Sequence, residues 1–159
     1  QQSNFVEVVT EIVRLHNIDP TRLKIELTES TILDNVDATT EKMQQLKKLG
    51  IAFSMDDFGT GYSSMSYLEQ LPFDTLKIDM SFVRKIQANG EGGTIAATIA
   101  AMAHALNKKV VAEGVETQAQ LDFLHKHNCE LIQGYFYSRP LPANELTLLC
   151  NQRGMITTI

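Results

Sequence analysis

Five short runs with strand character, each followed by a stretch of helical periodicity, constrain this chain more than any other feature. The runs are residues 23–28 (LKIELT), 51–56 (IAFSMD), 75–79 (TLKID), 109–113 (KVVAE) and 130–135 (ELIQGY). Ahead of the first, residues 4–16 carry Phe5, Val8, Val9, Ile12 and Leu15 at helical spacing. Residues 38–49 turn Met43 and Leu46 inward before a Gly50 cap, and residues 94–107 set Ile95, Ile99, Met102, Ala103 and Leu106 on one face. Shorter helices are expected at 64–69, 81–88, 117–127 and from 142 to about 150, with a frayed tail over 151–159. Strands that alternate with helices in this way are parallel, because a parallel neighbour is reached only through a crossover.

Each run also delivers a polar group at or near its end: Glu26, Asp56, Asp79 with Lys77, Glu113, and Gln133. Alternation along a strand puts Lys77 and Asp79 on one face, and likewise Ser54 with Asp56 and Val111 with Glu113. An open doubly wound sheet gathers its ligand groups at one switch point. A closed barrel lines its C-terminal mouth from many strands. The repetition therefore favours an α/β fold of the TIM-like (β/α)8 barrel type. About five βα units are readable where a closed barrel needs about eight, so the barrel is expected to be incomplete.

One glutamate at a strand end is ordinarily a solvated group or a helix cap. The joint pattern is harder to explain that way. Glu26, Asp56, Asp57, Asp79, Glu113 and Glu116 converge on one mouth, with Lys77 as the cation the pattern supplies there. Two like charges about 4 Å apart repel by roughly 4 kcal/mol at an effective dielectric of about 20. Such a cluster shares protons or binds a cation. With oxygen donors and no Cys or His beside them, the cation should be hard, Mg²⁺ or Mn²⁺. That chemistry suits phosphoester hydrolysis, with Lys77 placed to position water.

Other classes are disfavoured. The net charge is −5, from 14 basic and 19 acidic residues, and no basic stripe is present. This argues against duplex nucleic acid or a membrane surface as the partner of this segment. The longest apolar stretch, residues 95–106, is broken by Thr98 and His104 and is too short to span a bilayer. Cys129 and Cys150 form no CxxC pair; they read as small core residues in a reducing compartment. His16, His104, His125 and His127 read as surface or core-edge groups, and Met55, Met65, Met80 and Met102 as packing residues. The octapeptide 57–64 (DFGTGYSS) contains a kinase-like DFG triplet and a partial dinucleotide fingerprint. The kinase catalytic loop and the third fingerprint glycine are missing, so neither reading holds. What remains is a Gly-rich loop beside two carboxylates, of the kind that completes a site. The chain has no initiating Met and runs almost at once into a helix, so it reads as part of a longer protein.

Taken together, the motifs resemble the EAL-domain family of bacterial cyclic di-GMP phosphodiesterases. The matching segments are Glu26-Leu27-Thr28-Glu29-Ser30, Asp56-Asp57-Phe58-Gly59-Thr60-Gly61-Tyr62-Ser63-Ser64, Leu76-Lys77-Ile78-Asp79 with Ser81-Phe82-Val83, Ala112-Glu113-Gly114-Val115-Glu116-Thr117, and Gln133-Gly134 through Arg139-Pro140. Their order and spacing fit the family over roughly residues 1–145. The resemblance implies a TIM-like barrel that opens cyclic di-GMP to linear pGpG with Mg²⁺ or Mn²⁺, two ions in the intact domain.

By position, Glu26, Asp56, Asp57 and Glu113 resemble the family's metal-binding carboxylates, Asp56 the one shared between the metals and Glu113 the proposed general base. Lys77 resembles the lysine that contacts the nucleophilic water, and Asp79 the acidic residue paired with it. Glu116 and Gln133 resemble supporting site residues, with Gln133, Arg139 and Pro140 on the substrate side and Arg139-Pro140 where the family contacts a guanine. Glu29 resembles the glutamate that anchors the loop after Asp57, a loop tied to homodimer formation. The Glu-Ala-Leu triplet and the Asn-x-Ser segment, both of which supply metal ligands, do not occur in the chain. Residues 1–150 are thus expected to be a partial EAL domain lacking its N-terminal strands, followed by the tail. The expected setting is the bacterial cytoplasm, with the parent protein open to membrane tethering. The alternative reading is a catalytically inactive module that binds cyclic di-GMP or a protein partner in signalling.

Overall fold

The computed structural model describes residues 4–59 and 67–152. Helix α1 (Phe5–Leu15) leads through a short 3-10 turn (Pro20–Arg22) into β1 (Lys24–Thr28). Two helices follow, α2 (Glu29–Leu33) and α3 (Val36–Lys47), and then β2 (Ala52–Phe58) and β3 (Thr75–Ile78). The remainder is α4 (Met80–Val83), α5 (Thr94–Ala105), β4 (Lys109–Ala112), α6 (Gln118–Lys126), β5 (Leu131–Ile132) and α7 (Ala143–Gln152).

All four strand pairings are parallel, and the spatial order β1-β2-β3-β4-β5 follows the chain order. This order separates the two candidate architectures. A doubly wound sheet reverses direction at its switch point, whereas a barrel is wound in one direction only. The chain is an α/β, incomplete TIM-like barrel, with β1 and β5 as the two edges among the described strands.

The two faces of the sheet differ in chemistry. Phe53, Met55, Leu76, Ile78, Val110 and Ala112 point outward and are buried in one core with Met43 and Leu46 of α3, Ala96, Ile99 and Ala100 of α5, and Leu121 and Leu124 of α6. The opposite face carries Glu26, Ser54, Asp56, Thr75, Lys77 and Lys109, and the register keeps these groups side by side, Glu26 beside Ser54, Ser54 beside Thr75, and Thr75 beside Lys109. Burial of the outer face against the helices drives folding. The polar inner face is carried along by the period of two.

Local boundaries depart from the sequence expectations where capping side chains intervene. Strand β1 passes directly into α2, capped by Thr28, whose hydroxyl accepts from Thr31 N. The helix expected over 81–88 ends at Val83, and the last strand is confined to Leu131–Ile132. Residues 64–66 of the helix expected at 64–69, Met65 among them, lie outside the described residues, as does the tail from residue 153, and residues 67–69 form a turn. Met80 is exposed and Cys150 only half-buried, so neither is a core residue as expected. Burial pushes the Cys129 thiol up to about 11, which leaves it protonated at neutral pH and removes it as a nucleophile or thiolate ligand.

At the other end of the strands Asp74 ties three elements together. Its Oδ1 accepts from Lys47 Nζ at the end of α3, and its Oδ2 accepts from Phe53 N in β2 at 2.9 Å. Burial opposes ionisation of this carboxyl, but the hydrogen bonds from Lys47 and Phe53 outweigh it and hold its pKa below the usual carboxylate range. The folded-state value lies below the unfolded one. The resulting stabilisation is therefore present above the unfolded pKa and is lost as pH falls through the folded one. Since both partners are about one-third exposed, Asp74→Asn should cost only about 1 kcal/mol near neutral pH. Denaturant unfolding of both proteins at pH 7 and at about pH 3 checks this, and the gap should be smaller at the lower pH.

Candidate metal centre at the strand C-termini

The doublet Asp56-Asp57 is placed by a bulge. Between Met55 and Phe58 strand β2 advances three residues while β3 advances only two, from Leu76 to Ile78. The extra residue takes up the alternation that would otherwise send the two carboxylates to opposite faces. Asp57 adopts φ +53°, and Gly59 follows at φ +90°. A left-handed aspartate is strained, and contacts around it must hold the conformation. Asp56 Oδ1 accepts from Asp57 N at 3.1 Å, and the Gly59 N–H donates to Glu29 Oε2 at 3.3 Å.

Lys77 lies at the centre. Its Nζ is 2.7 Å from Glu113 Oε1, 2.8 Å from Glu26 Oε2 and 2.9 Å from Asp56 Oδ1. The three carboxylates come from β1, β2 and the residue after β4, on either side of the lysine's own strand β3. The lysine side chain is 7% exposed, against 49% for Glu26, 23% for Asp56 and 17% for Glu113. Burial alone would favour the neutral amine. The hydrogen bonds to Glu113, Glu26 and Asp56 outweigh it and hold the ammonium above the ordinary lysine range. Asp57 faces the same mouth. Partial desolvation, then the charges of Asp56 and Asp79, raise its carboxyl pKa against the lowering pull of Lys77.

The expected Lys77–Asp79 pairing is corrected by the structure. Asp79 Oδ1 accepts from Ser81 N at 3.0 Å and caps α4, because Asp79 immediately precedes that helix and its side chain satisfies an otherwise unpaired N–H. Glu26, Asp56 and Glu113 take the lysine instead. Nor is Lys77 the only cation at this end. Arg84 NH2 is 3.9 Å from Glu116 Oε1, and Arg139 lies over the Tyr135 ring at 4.5 Å.

Glu113, Glu116, Gln133, Arg139 and Pro140 line one groove of about 620 Å³, together with Arg84. Two loops meet to form it. Val115 N donates to Gln133 O at 3.2 Å, and Phe136 N donates to Val115 O at 2.9 Å. Position 134 must be glycine for this approach, since a Cβ there would sit 2.2 Å from Val115 O. Glu29 stands apart from the groove. It is buried at the start of α2 and also accepts from the Tyr67 hydroxyl at 3.2 Å.

Four oxygen-bearing groups, Glu26, Asp56, Asp57 and Glu113, fit a hard divalent cation by donor chemistry. Among the described residues no three acidic, His or Cys groups converge as a ready coordination shell. Lys77 bridges the oxygens instead. Sequence reasoning missed Arg84 and Tyr67. Neither carries a local signal, because each acts through a residue distant in the chain.

The EAL domain profile matches residues 1–140, most of the chain. This chain belongs to the EAL domain family. It is 52% identical over 120 residues to the cyclic di-GMP phosphodiesterase NbdA of Pseudomonas aeruginosa, covering 76% of this chain and 15% of NbdA. It is 41% identical over 144 residues to the bifunctional diguanylate cyclase/cyclic di-GMP phosphodiesterase MucR of the same organism, covering 91% of this chain and 21% of MucR. The solved MucR phosphodiesterase in complex with c-di-GMP superposes with a TM-score of 0.85 at 41% identity, covering 91% of this chain and 59% of that one. The manganese/cy-diGMP complex of Klebsiella pneumoniae BlrP1 superposes with a TM-score of 0.76 at 30% identity, covering 87% of this chain and 35% of that one. This EAL chain thus spans about a fifth or less of the two curated relatives it matches. No helix among its described residues is long and apolar enough to cross a membrane.

Charge balance at Lys77 can be tested directly. Lys77→Met leaves Glu26, Asp56 and Glu113 facing one another without their shared cation. The variant should lose about 2 kcal/mol at pH 7–8, less than a fully buried pair because Glu26 is half-exposed. The raised lysine pKa means that the wild-type contribution is intact at and below the ordinary lysine value and is lost only at higher pH. Thermal denaturation of both proteins at pH 7–8 checks this. A variant as stable as wild type contradicts the assignment.

Proposed function

We propose that the protein in which this EAL domain occurs hydrolyses cyclic di-GMP to linear pGpG. The observation that carries the reading is the Lys77 ammonium held among Glu26, Asp56 and Glu113, beside Asp57, at the C-terminal end of a singly wound parallel sheet. The name of NbdA and the c-di-GMP complex of MucR support the same substrate.

The groove lined by Gln133, Arg139 and Pro140 receives one half of the dinucleotide, with Arg139 suited to the hydrogen-bonding edge of a guanine. That places a phosphodiester towards Glu113, which lines the same groove and ends on Lys77. Lys77 stays charged throughout the neutral range. It orients the carboxylates and stabilises negative charge developing on the attacking oxygen. Glu113, held through Oε1 by Lys77, accepts the proton of the attacking water through its second oxygen. The new P–O bond forms to water, the P–O3′ bond breaks, the O3′ takes a proton from solvent and Glu113 returns its proton to solvent, giving a 5′-phosphorylated linear product. Glu26, Asp56, Asp57 and Glu113 would hold divalent ions. When bound, these supply a more acidic water and neutralise phosphate oxygens. Manganese in the BlrP1 complex supports a divalent ion, and oxygen donors favour Mg²⁺ or Mn²⁺.

The reading extends to a partial EAL domain over residues 1–150, a homodimer and a cytoplasmic setting, all on the family resemblance. In the full-length protein with Mn²⁺, Lys77→Ala should lower kcat by about 100-fold or more while dinucleotide affinity, measured with Ca²⁺ in place of Mn²⁺, changes far less. Equal losses in the two would assign Lys77 to substrate binding. Asp56→Asn should weaken Mn²⁺ binding by calorimetry, and unchanged affinity would remove Asp56 from the ligand set.

A further inference from the structure

The bulge that presents Asp56 and Asp57 is strained, and its end is held from outside the strand. Asp57 and Gly59 both have positive φ, and the Gly59 N–H is held by Glu29 Oε2. Glu29 is 3% exposed, and a buried carboxylate serves as a fixed anchor only if its orientation is set by further hydrogen bonds. Tyr67, itself 7% exposed, donates its hydroxyl to the other oxygen, Glu29 Oε1. One carboxylate thus joins the end of β2 to a residue 38 positions beyond Glu29. The tyrosine ring belongs to the core, so its hydroxyl is held on a rigid support.

We propose that Tyr67 is a positioning residue for the Asp56-Asp57 pair, acting through Glu29 and the Gly59 peptide; in its catalytic consequence this rests on the phosphodiesterase reading above. Its hydroxyl acts on Glu29 Oε1. Its contribution is to fix Glu29 so that the left-handed turn at Asp57 does not relax. An oxygen donor displaced by relaxation loses cation affinity even when the fold survives.

The test uses the full-length protein and two readouts, Mn²⁺ affinity by calorimetry and steady-state turnover of cyclic di-GMP. Tyr67→Phe keeps the ring and removes the hydroxyl. It should weaken Mn²⁺ binding and lower kcat by about 10-fold each, with KM changed by no more than about 2-fold. Glu29→Gln retains an acceptor for Gly59 N–H and should lose less than Glu29→Ala. Adding Tyr67→Phe to Glu29→Ala should cost clearly less than the sum of the two single losses, because both act along one path. Unchanged Mn²⁺ affinity in Tyr67→Phe, fully additive losses, or a Tyr67→Phe protein that no longer folds would each overturn the proposal. If wild type binds Mn²⁺ but forms no linear dinucleotide, the phosphodiesterase reading falls, and the Mn²⁺ comparison still decides the role of Tyr67. If wild type binds no Mn²⁺, both fall.

Discussion

A single ammonium among three carboxylates sets the terms for this structure. Lys77 is nearly inaccessible, and an unpaired charge there would be untenable. Glu26, Asp56 and Glu113 would equally repel one another without it. The arrangement persists because each side removes the other's penalty. It requires three strand ends to arrive together within hydrogen-bonding reach. The parallel sheet meets that requirement, and the outer apolar face, packed on the helices, keeps its strands in register.

The same requirement explains where strain is tolerated. A regular β2 would send Asp56 and Asp57 to opposite faces. The bulge avoids this at a cost of about 1 kcal/mol for a left-handed non-glycine residue. Glu29 offsets that cost from α2, a helix that follows β1 with no intervening loop. Conformational strain at the end of β2 is thus balanced by a hydrogen bond that Gly59 N–H donates to Glu29, and the pairing of β1 with β2 brings the two within reach.

Electrostatics divides the mouth into two regions. Around Lys77 the carboxylates are close and partly buried, and the ammonium offsets their repulsion. Beyond Glu113 the groove opens towards Arg84 and Arg139, and the balance becomes mixed. The proposed dinucleotide, a polyanion with planar bases, suits such a gradient, with a base near the guanidinium groups. Glu113 belongs to both regions, paired with Lys77 and lining the groove.

Much of this was legible in the residues. Alternation of strand and helix periods, with a polar group closing each strand run, was sufficient to infer a parallel barrel and a common acidic mouth at Glu26, Asp56 and Glu113, since period two decides which side chains share a face. The resemblance to EAL domains rested on short strings that local chemistry keeps together, such as Asp56-Asp57-Phe58-Gly59. Hydrogen-bond partners were not legible. Asp79 shares a face with Lys77 in the sequence, yet its proximity to a helix start made it a cap, a competition that local spacing does not rank. Tyr67, Arg84 and the Asp74 tie depend on segments far apart in the chain. By itself the sequence determined the faces, the fold class and the chemical type of the site. Which carboxylates take the lysine, and what holds the bulge, was decided only by tertiary structure, because those contacts depend on distances that packing alone establishes.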